Sequence, residues 1–259
     1  MVGWGRTGIG AGAMLALALV IAGCGDSATP ATQHPATSRG PKAASGTVIL
    51  ADTFTRTVAG GWGTPDSGPA WQVSADQAPQ TSVDGSSGLV TIATAQQGSF
   101  VSIPTQATDL AVTGRFHLDK LPVAENVSVH VWARGSGGAD TYRFYLSIDP
   151  AGAVVATFPA MVGNQIQGKP VAATVPSTYA PGTWWRFRVV VSGSDPTHLQ
   201  ARVWADGTTE PTTWLIDTTD TTPQLQQLTG RMSLGAYTGA KQTALPLQVA
   251  FDDVSVAVP

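Results

Sequence analysis

From Thr47 onward apolar and polar side chains alternate with a period of two, and Gly, Pro, Asp or Asn interrupts the alternation at a spacing of roughly 8–12 residues. Alternate residues of a strand point to opposite faces, whereas a helix repeats every 3.6 residues. No segment carries a long amphipathic helical pattern, and only 223–228 is a weak helical candidate. The pattern predicts an all-β chain, a sandwich or barrel of antiparallel strands. The clearest strands are expected at 110–118, 127–133, 141–148, 153–158, 184–191, 198–205, 231–237 and 247–256. Val48-Ile49-Leu50 and Val254, Val256 and Val258 read as first and last strands that pair with each other, since an unpaired edge invites aggregation.

Composition narrows the function classes. Glu occurs only at positions 125 and 210, Arg outnumbers Lys ten to four, and no Lys/Arg run exists. A nucleic-acid partner is therefore not expected. One cysteine, Cys24, rules out an intramolecular disulfide, so the 213 residues from 47 to 259 must rely on their core.

Cys24 ends the run Ile21-Ala22-Gly23-Cys24, which follows Arg6 and the apolar stretch 9–21. That stretch is shorter than the roughly 20 residues of a spanning helix and fits an export signal. The four residues resemble the lipobox of bacterial lipoproteins. The resemblance implies a signal peptide over 1–23, lipidation of Cys24 and an anchor on the extracytoplasmic side of the cell membrane. Residues 24–46 then carry the lipidated cysteine and a tether of Gly, Ala, Ser, Thr, Pro and Gln, too poor in apolar bulk to fold and reaching roughly 25 Å as a coil. Without Arg6 the mature chain has 13 basic and 17 acidic side chains, a net of −4.

The run Asp52-x-Phe54-x-Arg56, then Gly61-Trp62-Gly63, then Gly68-x-x-Trp71 resembles the opening of laminin-G-like, concanavalin A-like jelly-roll domains. Such domains occur in actinobacterial secreted proteins and phage tail proteins. Trp204 to Trp214 and the closing Phe251-Asp252-Asp253-Val254 fit the same resemblance. It implies an antiparallel two-sheet jelly-roll sandwich over 47–259. Trp62 and Trp71 are expected to plug the end of the core with their indole N–H groups on backbone carbonyls, and Trp214 to do so on another loop. Asp52 and Asp252, brought close by terminal pairing, are candidates for a structural calcium, in competition with an ion pair between Asp52 and Arg56. No other cofactor is expected.

Alternation also selects a candidate site. In 127–133 the valines share one face, while Ser128, His130 and Trp132 share the other. In 141–148, Arg143 and Tyr145 lie opposite Tyr142, Phe144, Leu146 and Ile148. Aromatic rings stack on the C–H faces of a pyranose and planar polar groups bind its hydroxyls. His130, Trp132, Arg143 and Tyr145 are therefore the candidate ligand site, on two successive strands expected to pair. Arg202 and Trp204 form a second cluster, which can lie on the opposite, convex sheet. The competing reading of both is a solvated face with arginine stems over aromatics. In 184–188, Trp185 and Phe187 read as core, and Trp184, Arg186 and Arg188 as a structural outer face. Loop 159–176, with Lys169, is expected to be able to close over the groove.

Catalytic patterns are missing. The chain lacks the Glu-x-Asp-x-x-Glu strand of jelly-roll glucanases, a G-x-S-x-G elbow and an H-E-x-x-H helix. His117, His130 and His198 fall on different strands. The first reading is a non-catalytic module for a glycan or envelope polymer. Its rivals are a domain for a protein partner and a carbohydrate-active hydrolase or lyase using His130, Arg143 or Tyr145.

Overall fold

The computed structural model describes residues 46–136 and 139–259. The expected signal peptide 1–23, the expected lipidation site Cys24 and the expected tether up to residue 45 lie outside the described residues. Short strands follow one another with no α-helix among the described residues: β1 (Val48–Asp52), β2 (Thr57–Ala59), β3 (Thr81–Asp84), β4 (Gly88–Ile92), β5 (Gly98–Pro104), β6 (Leu110–Leu118), β7 (Val127–Gly135), β8 (Thr141–Ile148), β9 (Val154–Val162), β10 (Gln165–Thr174), β11 (Trp185–Ser192), β12 (Thr197–Ala205), β13 (Ile216–Asp220), β14 (Arg231–Thr238) and β15 (Leu247–Ala257). The weak helical candidate is a single 3-10 turn, Pro223–Leu225.

The strands form two antiparallel sheets. One runs β13-β12-β11-β6-β15-β4-β3-β2, with β1 also paired to β15; the other runs β10-β9-β8-β7-β14-β5. The expected terminal pairing is present, with Leu50 opposite Val256 and Asp52 opposite Val254. β4 pairs with residues 247–251 of β15 and β1 with residues 254–257, so two short strands share one edge of a long one.

The core is what alternation requires. Val127, Val129, Val131, Tyr142, Phe144, Leu146 and Ile148 of one sheet face Leu110, Val112, Phe116, Trp185, Phe187, Val189 and Val191 of the other, all buried. Each such side chain contributes roughly 1.5–3 kcal/mol when taken out of water.

The opening motif is a closed structural knot. Asp52 is buried and accepts two hydrogen bonds from Arg56 (2.7 and 2.9 Å), one from the Trp71 indole (2.7 Å) and one from the Phe54 amide (3.0 Å). Arg56 also donates to the Trp62 carbonyl. Trp62 is fully buried against Phe54, Trp71 and Phe251, and its indole donates to the Leu89 carbonyl at 3.0 Å. The plug role thus holds for Trp62. Trp71 is also buried but bonds a carboxylate instead. Trp214 does not plug the core: it is half-buried, with the Arg202 guanidinium 3.8 Å from its ring centre.

Two further expectations are corrected. Segment 159–176 is no covering loop: β9 and β10 form a hairpin whose two-residue turn, Gly163-Asn164, has φ of +59° and +62°. Paired positive φ values define the turn that matches strand twist. Lys169 lies on the exposed edge strand β10, where it and Pro170 blunt the edge. Second, Asp52 and Asp252 are each engaged by an arginine instead of standing free as calcium ligands. Asp52 is taken by Arg56, and Asp252 accepts from Arg115 at 2.5 and 3.1 Å. Burial raises the Asp252 carboxyl above the usual range, with Arg115 opposing the shift.

Candidate functional site

The candidate quartet stands on the outer face of the six-stranded sheet. β7 and β8 pair so that His130 lies opposite Tyr145 and Trp132 opposite Arg143. The His130 and Tyr145 rings are 5.2 Å apart, and the Arg143 guanidinium stands 4.2 Å from the Trp132 ring centre.

A residue that the sequence reading missed completes the cluster. Phe100 of β5 stacks on Trp132 with centres 4.4 Å apart, although β14 runs between their strands. It crosses at Gly235, the β14 residue opposite both Phe100 and His130. A Cβ at Gly235 would lie 2.4 Å from the Phe100 ring, so only glycine leaves the space. Phe100 reaches the indole from the β5 side and Arg143 from the β8 side. Trp132 is thus packed on both flanks instead of offering the bare face that the sequence reading expects.

Trp132 and Phe100 form one wall of a groove of about 580 Å³. The rest is mostly uncharged and hydrogen-bonding: Gln72, Gln77, Ser102, Thr141 and Ser233, with Arg231 as the charged member. Segment 72–77 builds the far wall by docking on the free edge of β5. Gln72 and Ser102 exchange two backbone hydrogen bonds of 2.8 Å, and the Gln77 side chain accepts from the Phe100 amide at 2.9 Å. In sequence only the alternation of Ser99, Val101 and Ile103 against Phe100 and Ser102 could have flagged β5, and no local pattern announces segment 72–77.

The electrostatics limit the chemistry. Trp132 donates its indole N–H to His130 Nδ1 at 3.1 Å, which assigns the proton of the neutral ring to Nε2. His130 Nε2 is sealed from solvent without a partner. Burial, helped by Arg143, pulls His130 down to about 3, so the ring is neutral near pH 7. Its accepting nitrogen is occupied and its other nitrogen is shut in, so in this geometry His130 cannot take a proton from a substrate. Among the described residues, no group of three or more His, Cys, Asp or Glu side chains is arranged to hold a metal.

The second cluster lies elsewhere. Arg202 and Trp204 are on β12 of the nine-stranded sheet, so the structure does not bring them to the quartet. Arg202 bonds Glu210 at 3.0 Å and covers Trp214, not Trp204. Arg186, Arg115, Asp206, Asp252 and Asp253 form a network of ion pairs on the same sheet. The structural reading of Trp184 holds, with Arg115 over its ring at 4.5 Å.

No family model matches this chain. No curated protein matches it either. Solved structures do. Alginate lyase Aly36B in complex with an alginate tetrasaccharide aligns with a TM-score of 0.58 at 14% identity, over 81% of this chain and 96% of that one. Rv0315, an immunostimulatory antigen and pseudo β-1,3-glucanase of Mycobacterium tuberculosis, aligns at 0.53 and 16% identity, over 83% and 100%. A β-1,3-glucanase from Mycobacterium marinum aligns at 0.53 and 14%, over 83% and 99%. The likeness is one of fold: this chain is an antiparallel two-sheet jelly-roll sandwich.

Proposed function

We propose that this chain is a lipid-anchored, extracytoplasmic binding module that holds a glycan in the groove beside Trp132. The groove itself carries the reading. Ligand sites are concavities with a few convergent polar groups on apolar walls, and this one sets the Phe100–Trp132 pair among amides, hydroxyls and one arginine. An alginate tetrasaccharide bound to a protein of the same fold supports the choice of ligand class. The occupied and sealed nitrogens of His130 favour binding over catalysis.

The test is a glycan array with soluble residues 47–259. A selective hit is expected, and Trp132→Ala weakens it about tenfold or more, ~1.4 kcal/mol. Unchanged affinity in that variant removes the groove as the site. The anchor rests on the lipobox resemblance of Ile21 to Cys24 and has its own test. In a bacterial host, Cys24→Ser is expected to move the protein from the membrane fraction to the soluble fraction. Retention at the membrane would rule out Cys24 as the attachment point.

A further inference from the structure

The distribution of charge names the class of glycan. Eight arginines lie among the described residues, and six have a carboxylate partner: Arg56 on Asp52, Arg115 on Asp206 and Asp252, Arg134 on Asp109, Arg186 on Asp206 and Asp253, and Arg188 and Arg202 on Glu210. The two without one are Arg143 and Arg231. Arg231 lines the groove and donates to the neutral Gln72 side chain at 3.2 Å. Arg143 stacks on the groove's own tryptophan and donates to Asn164 at 2.5 Å.

Lysines follow the same division. Lys120 pairs with Asp119, while Lys169 on β10 and Lys241 just after β14 have no carboxylate partner among the described residues. Every unpaired cation of the described chain therefore belongs to the six-stranded sheet or its margin. The arginines on the outer face of the nine-stranded sheet are all neutralised. No carboxylate lines the groove at Trp132.

A chain of net charge −3 that leaves two arginines without a carboxylate partner beside one groove creates a local field there opposite to its overall sign. Such a field steers and holds anions, and guanidinium groups match carboxylate and sulfate geometry in particular. We infer that the glycan held in the groove is acidic, a polyuronate or sulfated polysaccharide whose anionic groups meet Arg231 and Arg143. This rests on the glycan-binding reading above and adds the class of sugar to it.

The experiment uses the full chain in detergent micelles and measures affinity for two matched pairs, alginate against laminarin and dextran sulfate against dextran, with polyglutamate as a non-sugar polyanion. At 50 mM salt at least one acidic glycan is expected to bind at least tenfold tighter than its neutral counterpart. The advantage shrinks at 500 mM salt, where charges are screened within about 4–5 Å. Arg231→Gln and Arg143→Gln should each weaken the acidic glycan about tenfold, the scale of a charge-assisted hydrogen bond. Lys120→Gln, which removes one charge away from the groove, should leave binding unchanged. Unaltered thermal unfolding of the arginine variants separates loss of the site from loss of the fold. If neutral and acidic glycans bind alike, the inference fails and the glycan-binding reading stands. If polyglutamate binds as tightly as the best glycan, or if no glycan binds, both fail.

Discussion

Arg134→Met lowers the stability of the fold by about 3–5 kcal/mol, the cost of removing one partner from a buried, fully bonded charge. Arg134 is completely buried, and all its donors are used. Nε bonds the Thr108 carbonyl (2.7 Å), Nη1 the Thr197 hydroxyl (2.7 Å) and the Gln226 carbonyl (3.2 Å), and Nη2 the Gly193 carbonyl (2.8 Å) and Asp109 (3.1 Å). One side chain thus ties β7 to three connecting segments. Methionine fills similar volume but leaves buried carbonyls without donors, each a penalty of about 1–3 kcal/mol. Urea unfolding should show a lower midpoint at an unchanged slope. A loss below about 1 kcal/mol would mean that water replaces the guanidinium at no cost, as it does for exposed ion pairs.

The second large effect is a loss of stability in mild acid caused by one histidine. His130 has a folded value of about 3 against 6.5 for an unperturbed ring, so the native state binds fewer protons than the unfolded chain between those values. The neutral ring's contribution is complete above pH 6.5 and is lost as pH falls toward 3. Between pH 7 and pH 5 this amounts to ~2 kcal/mol. Most of that window lies above the titration of Asp66, Asp84, Asp206, Glu210 and Asp217, whose values are all lowered. Unfolding of the native protein at pH 7 and pH 5, set against His130→Gln, isolates the effect. The variant should lack the slope, and equal slopes would show that His130 is accessible to protons in the native state. Within the folded protein the ring stays neutral across that range, so the Trp132 indole keeps its acceptor and His130 should leave glycan affinity unchanged between pH 7 and pH 5.

Much of the site was readable because it rests on period two. Alternation placed His130 and Trp132 on one face of β7, and Arg143 and Tyr145 on one face of β8, and the observed pairing joins them in register. What alternation cannot report is a neighbour brought in from elsewhere in the chain. Phe100 meets Trp132 only because β14 passes between them with a glycine at the crossing, and Gln72 and Gln77 face the groove only because their segment docks on β5. The β9–β10 turn had a local signal, the Gly-Asn pair, but the exposed, weakly alternating β10 beyond it read as loop.

Arg134 marks the limit in one residue. Strict alternation would turn it outward with Trp132, and the expected strand ended at Ala133, one residue before it. In the fold the register between β7 and β14 shifts there, Arg134 adopts φ +52°, and its side chain turns into the core. The sequence by itself determined strand class, the face of most side chains and the pairing of the termini, because those follow from period, turn residues and the need to cover an edge. Only the tertiary structure decided which arginines meet a carboxylate and which are left without one. Charge compensation depends on residues far apart in the chain, as with Arg115 and Asp252, and no local pattern encodes it.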